Sequence, residues 1–343
     1  MFDRIERARL EDIHFRHDPA SGLKAIIAIH NTRLGPALGG VRCIPYPTDS
    51  DAIDDAIRLA RGMSYKAALA GVPQGGGKAV IMLPAGPVDR TALYTAFADF
   101  IHSLGGRYIT AADSGTQLSD LDVVAARTPY VSGTSSDGFN PSPMTALGVF
   151  AGIRAAVRHQ LHRESLEGLH VAIQGIGNVG FALAQRLSEA GVHLTVSDVD
   201  ASKTARAARE LQARVVAGDE ILTQDCDVLA PCGLGGVLND DSIPQLRCAI
   251  VAGAANNQLA QSQHGQLLHH RGILYAPDYV INAGGLITVS LGYLKQDMRA
   301  IRQRTLNLEN TLSQLFERSR ADNVPPDRIA DQIAEDILYS SLM

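Results

Sequence analysis

Two lysines and an aspartate are the residues whose surroundings best suit acid–base chemistry. Lys66 lies in the apolar segment MSYKAALAG and Lys78 in QGGGKAVIML, on either side of what we interpret as a glycine-rich bend. Burial and a neighbouring cation both lower the pKa of an ammonium group, so such a lysine can serve as a general base near neutral pH. Asp113 follows the apolar segment YITAA and is a natural ionic partner. The alternative is that both lysines are solvated surface charges.

A glycine-rich segment, GIGNVG over Gly175–Gly180, indicates a second kind of chemistry. It follows the apolar run VAIQ and opens a predicted helix, whose N-terminus would face phosphate groups. Its three glycines suit a tight turn, approach of the backbone to a pyrophosphate, and close packing of helix on strand. The candidate cofactor contacts in this segment are Gly175, Gly177, Asn178, Val179 and Gly180. A turn of this kind without a ligand is the alternative.

The acid that ends the next predicted strand indicates which dinucleotide would bind. The segment HLTVSD ends at Asp198, eighteen residues after Gly180. A carboxylate in this place accepts hydrogen bonds from the ribose hydroxyls and repels a 2′-phosphate. The glycines and Asp198 together predict a site for NAD rather than NADP.

The elements that must position these residues alternate between strands and helices. Ala25–Ile29 has the continuous apolar character of a buried strand, and apolar residues at helical spacing over 52–60 predict a helix that leads to Lys66. Beyond residue 168, short apolar runs separated by helical segments predict a parallel sheet covered on both faces: VAIQG, HLTVSD, DVLAPC, AIVAGAA and ILYAPD. We expect an α/β protein in which a mixed-sheet domain precedes a Rossmann-type, doubly wound dinucleotide-binding domain, with a cleft between them.

A segment rich in serine, glycine and proline, SGTSSDGFNPSP over 132–143, marks the expected domain boundary. We therefore assign residues 1–133 to the first domain and 134–321 to the Rossmann domain. An amphipathic helix within about 322–343 is expected to pack back on the first domain.

Composition excludes several classes of function. The chain has 343 residues and a net charge of −5, with no basic cluster that would favour nucleic acid. No run of about 18 apolar residues predicts a membrane span. The four cysteines form no C-x-x-C pair, which favours reduced thiols and the cytoplasm, and the eleven histidines show no metal-binding spacing. We expect no nucleic acid, no membrane and no metal as partners.

Ordered motifs along nearly the whole chain carry a resemblance to a known family. They are LGPALGGVR, ARGMSYKAALAG, GGGKAVI, ITAADSGT, GIGNVG, APCGLGGVLND, AGAANNQL and APDYVINAGGLI. With them the chain resembles the leucine/phenylalanine/valine branch of the Glu/Leu/Phe/Val dehydrogenase superfamily, and within it the leucine dehydrogenases most. The resemblance implies NAD-dependent oxidative deamination of an apolar L-amino acid to a 2-oxo acid and ammonia. It also implies a first domain for substrate binding and oligomerisation, in a homo-oligomer for which dimer and octamer both stay open.

The resemblance also implies roles for individual residues. Lys66 matches the lysine that binds the substrate α-carboxylate, Lys78 the catalytic lysine, and Asp113 the acid that exchanges protons with the substrate nitrogen. Further substrate contacts implied in this way are Gly39, Gly40, Met63, Asn256 and Asn257. Further cofactor contacts are Thr145, Val199, Ala230, Cys232, Ala254, Asn256 and Asn282.

Four positions bear on the side chain of the substrate. Glutamate dehydrogenases of the superfamily hold the distal carboxylate with a lysine and a serine, and the corresponding residues here are Leu38 and Val289. A charged substrate tail would meet hydrocarbon there, so glutamate is disfavoured. Ala111 matches the aliphatic relatives and Leu286 the aromatic ones. We expect leucine, isoleucine and valine; a phenylalanine or tryptophan dehydrogenase is the alternative, and a non-catalytic NAD-binding protein is a remote one.

Overall fold

Runs of apolar residues form the strands of two separate sheets in the computed structural model, which describes residues 1–138, 140–218 and 220–340. The strands, in chain order, are β1 (Asp12–Asp18), β2 (Leu23–Asn31), β3 (Ala37–Ile44), β4 (Gly75–Met82), β5 (Tyr108–Ala112), β6 (His170–Gln174), β7 (His193–Ser197), β8 (Arg214–Val215), β9 (Asp225–Pro231), β10 (Arg247–Val251) and β11 (Leu274–Tyr275).

The helices, in chain order, are α1 (Phe2–Ala8), α2 (Asp49–Ala70), α3 (Arg90–Ser103), α4 (Leu118–Ala125), α5 (Ser142–Leu161), α6 (Asn178–Glu189), α7 (Ala201–Leu211), α8 (Gln263–His270), α9 (Asp278–Ile281), α10 (Gly284–Tyr293), α11 (Met298–Leu306), α12 (Leu308–Asp322) and α13 (Pro326–Tyr339). None of the described helices is both long and apolar enough to cross a membrane.

The chain divides into two units. The first comprises the described residues of Met1–Phe139, Leu286–Ile301 and Ala334–Met343, and the second those of Asn140–Gly285 and Arg302–Ile333. Leu286–Ile301 thus belongs to the first unit, although it lies within 134–321 in the sequence. The predicted α/β fold class, with one mixed and one parallel sheet, is confirmed.

The sheet of the first unit has the order β1-β2-β4-β3-β5. β1 and β4 pair with β2 in antiparallel fashion, whereas β3 pairs in parallel with both β4 and β5. Alternate strand residues point to opposite faces, so Ile26 and Val80 pack under α2 while Ile27 and Ile81 pack under α3 and α4. The face under α2 is the one that carries the candidate site, and small residues of α2 let this helix lie close to it: Ala52, Ala56 and Ala60.

The predicted glycine-rich bend between Lys66 and Lys78 is wrong, because Gly75–Gly77 belong to β4. These positions need glycine for close approach rather than for a turn. A Cβ on Gly75 would lie 1.9 Å from the carbonyl oxygen of Asn31, and a Cβ on Gly76 would lie 2.0 Å from the backbone nitrogen of Ser64. Gly75 therefore lets β4 approach the backbone of β2, and Gly76 lets α2 approach β4.

The sheet of the second unit is entirely parallel, with the order β11-β10-β9-β6-β7-β8. Numbered from β6, this is the order 3-2-1-4-5-6 of the dinucleotide-binding Rossmann fold. The strand order reverses between β6 and β9, and ligands of such sheets bind outside the carboxyl ends of the strands at this point. The predicted glycine-rich segment follows β6 directly, at that end of the sheet.

Candidate active site

Lys78 and Asp113 meet across a glycine. β3 lies between β4 and β5, and its pairing brings Gly40 beside Ala111 of β5 and Val41 beside Ala79 of β4. Gly40 offers no side chain between them, and a Cβ there would lie 2.9 Å from the Cβ of Asp113. The Lys78 ammonium consequently donates a hydrogen bond to Asp113 Oδ2.

The environment of this ion pair suits a lysine that gives up its proton readily. Only 6% of the Lys78 side chain is exposed, against 24% of the Asp113 side chain. Burial lowers the pKa of Lys78 below its ordinary value and Arg42 lowers it further, while Asp113 and Asp55 oppose the shift. Burial raises the pKa of Asp113, but the nearby Lys78 and Arg42 outweigh it and leave that pKa below its ordinary value. The site therefore combines a lysine that loses its proton more readily than usual with a carboxylate that stays ionised.

Arg42, which the sequence analysis missed, is a further charged residue of this site. Its Nε donates to Asp113 Oδ2 over 3.3 Å and its Nη1 donates to Asp55 Oδ2 over 2.8 Å. The Tyr46 hydroxyl donates to the same Asp55 oxygen over 2.7 Å. The available signal was a charged residue inside the otherwise apolar segment ALGGVRCI.

The structure places Lys66 in the last two turns of α2, half-buried, with Met63 three residues earlier and also half-buried. Between them, Ser64 packs directly on Gly76, two residues before Lys78. The helix that carries Lys66 and the strand that carries Lys78 are thus in backbone contact. Gly39 is equally crowded, since a Cβ there would lie 1.8 Å from the carbonyl oxygen of Gly77.

The residues predicted to meet the substrate side chain also belong to the first unit. Leu38 is buried on β3 and pairs with Gly76 on one side and Ile109 on the other. Ala111 is buried on β5. Leu286 and Val289 lie three residues apart on α10, and the carbonyl of Val289 accepts a hydrogen bond from the Ser132 hydroxyl over 2.9 Å.

The glycine-rich segment of the second unit has the geometry that a pyrophosphate requires. Gly175 turns the chain with φ +93°, and a Cβ there would lie 2.7 Å from Gly233. A Cβ on Gly177, by contrast, meets nothing within 4 Å, so the backbone is open at the start of α6, where Asn178 and Val179 form the first turn. A Cβ on Gly180 would lie 2.0 Å from the carbonyl oxygen of Gly175. This cradle fits a dinucleotide.

Asp198 directly follows β7 and holds the glycine-rich turn in place. Its Oδ2 accepts a hydrogen bond from the Ile176 N–H over 2.7 Å, and its Oδ1 accepts one from the Asp200 N–H over 2.9 Å. Hydrogen bonds from ribose would use the remaining lone pairs of these oxygens. Val199, the next residue, is fully exposed.

Some of the remaining predicted cofactor contacts are hydrogen-bonded to one another, and the others are placed only by their positions in strands and helices. Asn282 Nδ2 donates to the carbonyl of Ala254 over 3.0 Å and to Asn256 Oδ1 over 2.8 Å. Asn257 is exposed, with a left-handed φ of 53°. Ala230 lies near the carboxyl end of β9, and Cys232 directly follows this strand, where its N–H donates to the carbonyl of Gln174 at the end of β6. Thr145 lies in the first turn of α5. Within the described residues, no cluster of three His, Cys, Asp or Glu side chains could hold a metal ion.

Comparison with known proteins shows the family to which the chain belongs. A family model described as Glu/Leu/Phe/Val dehydrogenase, dimerisation domain, matches residues 9–130. A second, described as Glutamate/Leucine/Phenylalanine/Valine dehydrogenase, matches residues 140–204 and 197–322. The chain belongs to the Glu/Leu/Phe/Val dehydrogenase family. It is therefore an amino-acid dehydrogenase that uses a nicotinamide dinucleotide.

Individual members of the Glu/Leu/Phe/Val dehydrogenase family are similar over almost their whole length. The leucine dehydrogenase of Geobacillus stearothermophilus is 46% identical, with 98% of this chain and 92% of the relative covered. The L-tryptophan dehydrogenase of Nostoc punctiforme is 45% identical, with 99% and 97% covered. A crystal structure of L-tryptophan dehydrogenase from Nostoc punctiforme superposes with a TM-score of 0.90 at 43% identity, covering 98% of both chains.

Proposed function

We propose that this protein catalyses the NAD-dependent, reversible oxidative deamination of leucine, isoleucine and valine to the 2-oxo acid and ammonia. The observation that carries the proposal is the buried Lys78–Asp113 ion pair, formed over Gly40 at a sheet face that α2 covers. A lysine in this setting can act as a base, and a carboxylate beside it can hold and deprotonate an amine.

The proposed chemistry assigns one role to each of three side chains. Lys66 binds the substrate carboxylate, together with backbone at Gly39 and Gly40, and Asp113 accepts a proton from the substrate ammonium. A bound nicotinamide would supply the acceptor for the hydride that leaves Cα. Lys78 then removes a proton from the water that attacks the iminium carbon. Addition of this water gives a carbinolamine. Protonation of its nitrogen releases ammonia, and its oxygen becomes the carbonyl oxygen of the 2-oxo acid.

The side-chain preference rests on apolar residues in the first unit. Leu38 and Val289 offer no partner to a second carboxylate, so glutamate would lose its hydration without compensation. Ala111 fills volume that an aromatic ring would use, which favours aliphatic substrates. Leu286 and the 45% identity to an L-tryptophan dehydrogenase support an aromatic substrate as the second candidate.

The cofactor, assembly and compartment are proposed on separate grounds. A carboxylate at Asp198 repels a 2′-phosphate, which supports NAD over NADP. The match of residues 9–130 to a dimerisation domain supports a homo-oligomer, either a dimer or an octamer. The four cysteines are free thiols, which supports a reducing compartment such as the cytoplasm.

Initial rates with Leu, Ile, Val, Phe and Trp, each with NAD and with NADP, test the proposal. We expect the highest kcat/KM with NAD and an aliphatic amino acid, and equal values for Phe and Leu would overturn the aliphatic preference. Lys78→Ala should lower deamination by about 10²–10⁴-fold while NAD binding, measured by fluorescence titration, is kept. Full deamination activity in that variant would overturn the mechanism.

A further inference from the structure

We infer that Arg42 is a positioning residue for the reaction, whose guanidinium bridges Asp113 to Asp55 and holds the Asp113 carboxylate on Lys78. The inference rests on the proposed function, because it assigns Arg42 an effect on the proton exchange of Lys78. Arg42 itself is not proposed to touch the substrate.

The geometry of the strands explains why Arg42 can form this bridge. Val41 pairs with Ala112 in the parallel β3–β5 register, so the next residues along, Arg42 and Asp113, lie side by side at the end of β5. Asp55 lies on α2, which covers the same face of the sheet. A guanidinium presents several N–H donors in a fixed plane and can reach both carboxylates at once, which a single ammonium does less well.

The far end of the bridge is itself held in place. Asp55 Oδ2 accepts hydrogen bonds from Arg42 and from the Tyr46 hydroxyl, and Asp55 Oδ1 accepts one from Arg58 Nη2 over 2.6 Å. Only 14% of the Asp55 side chain and 21% of the Arg42 side chain are exposed. Buried charges connected in this way have few alternative positions, so Arg42 presents its Nε to Asp113 in one orientation.

The charges around Lys78 indicate what the bridge does. Lys78 and Arg42 face the carboxylates of Asp113 and Asp55, while Arg58, on the far side of Asp55, is more than half exposed. The positive charge of Arg42 opposes that of Lys78 and so favours the neutral form of Lys78 that a base requires. Of the nearby tyrosines, Tyr46 donates to Asp55, whereas Tyr108 of β5 packs on the opposite face of the sheet and donates to the carbonyl of Gly39.

Removal of the Arg42 charge should change the pH dependence of the reaction. The pKa of Lys78 is lowered by Arg42, so in Arg42→Gln the acid limb of the kcat/KM profile for oxidative deamination should move to higher pH. We expect a shift of about one pH unit, the size that a nearby charge produces. Below that limb, kcat/KM should fall about tenfold. The Arg42→Gln variant keeps the other lysine of the site, Lys66, which lies on the same helix as Asp55.

Three further variants separate this effect from simple damage to the fold. Arg42→Met removes the charge without adding an amide and should shift the limb in the same direction. Arg42→Lys keeps the charge but loses the two-sided bridge, so kcat should fall while the acid limb stays near its wild-type position. Arg127→Gln is the matched control, because Arg127 is an exposed arginine of the same unit that pairs with Asp99. It should leave the profile unchanged.

The inference is overturned if Arg42→Gln or Arg42→Met folds, as judged by circular dichroism, and keeps the wild-type acid limb. An equally large shift in Arg42→Lys or Arg127→Gln would also overturn it. Failure of the proposed function gives a different result, since the wild-type protein would then reduce NAD with none of the amino acids.

Discussion

Lys78 depends for its position on a residue that has no side chain. Gly40 lies between the strand that carries Lys78 and the strand that ends before Asp113, and any side chain there would come within 2.9 Å of the aspartate. Burial of the ammonium is tolerated because Asp113 pairs with it. The same carboxylate then lies beside the reacting lysine, where the proposed chemistry requires an acceptor for the amine proton.

A single methyl group at Ala111 is expected to influence which substrate is used. Ala111→Gly should raise kcat/KM for phenylalanine relative to leucine by about tenfold or more, because a methylene-sized change in an apolar pocket is worth about 1–3 kcal/mol. Ala25→Gly is a matched control, since Ala25 packs on the opposite face of the sheet, against the α3 side. It should lower stability and leave the Phe/Leu ratio unchanged. An unchanged ratio in Ala111→Gly would exclude Ala111 from the substrate pocket.

At the scale of elements, the site depends on how closely α2 approaches β4. Helices usually pack on sheets through side chains, but here Gly76 lets the backbone of Ser64 lie against the strand. The helix that carries Lys66 is therefore fixed relative to the strand that carries Lys78. β3 fixes the third element, because it pairs in parallel with both β4 and β5.

Gly76→Ala should disrupt this contact. Its new Cβ would lie 2.0 Å from Ser64 N, so α2 must move, and we expect a loss of about 1–3 kcal/mol of stability together with most of the activity. Gly62→Ala is the paired control within α2, since a Cβ there meets nothing within 4 Å. It should stabilise the helix by about 1 kcal/mol. Urea unfolding and initial rates measure both effects, and a Gly76→Ala protein of wild-type stability would contradict the close approach.

At the scale of the whole molecule, a buried histidine connects distant parts of the first unit. His30 of β2 is fully buried, with Nδ1 2.8 Å from the Ser64 hydroxyl and Nε2 3.2 Å from the hydroxyl of Tyr339 in α13. Burial, with a smaller contribution from the Arg61 charge, lowers the pKa of His30 to about 4. The last helix of the chain is thus joined through His30 to the helix that carries Lys66.

This histidine predicts how stability depends on pH. The unfolded chain binds a proton at His30 below pH 6.5, whereas the folded protein binds it only below about pH 4, so stability falls as the pH decreases through this range. Protonation of His30 over this pH range should lower the free energy of unfolding by about 3 kcal/mol in total. His30→Gln should make the unfolding free energy, measured in urea, less dependent on pH between these values. His17→Gln, which changes an exposed histidine of β1, should keep the wild-type slope, and an unchanged slope in His30→Gln would refute the prediction.

Much of the fold could be predicted because its signals are local. The helical spacing of apolar residues before Lys66, and the segment GIGNVG between an apolar strand and a helix, are visible within short windows of sequence. The prediction of a glycine-rich bend was wrong because three consecutive glycines are typical of turns in a local window of sequence. Only the tertiary structure shows that Gly75–Gly77 belong to β4, where they allow neighbouring backbone to approach closely.

The sequence by itself determined the two-domain α/β class and predicted the dinucleotide turn, and its resemblance to a family implied the candidate roles of Lys66, Lys78 and Asp113. The tertiary structure decided which of these meet and what surrounds them: Lys78 with Asp113 over Gly40, and Arg42 between Asp113 and Asp55. The physical reason is that periodicity shows which residues a strand buries but not the register in which strands pair. Arg42 and Asp113 are 71 positions apart, and His30 and Tyr339 are 309 apart, so only strand order and helix packing bring them into contact.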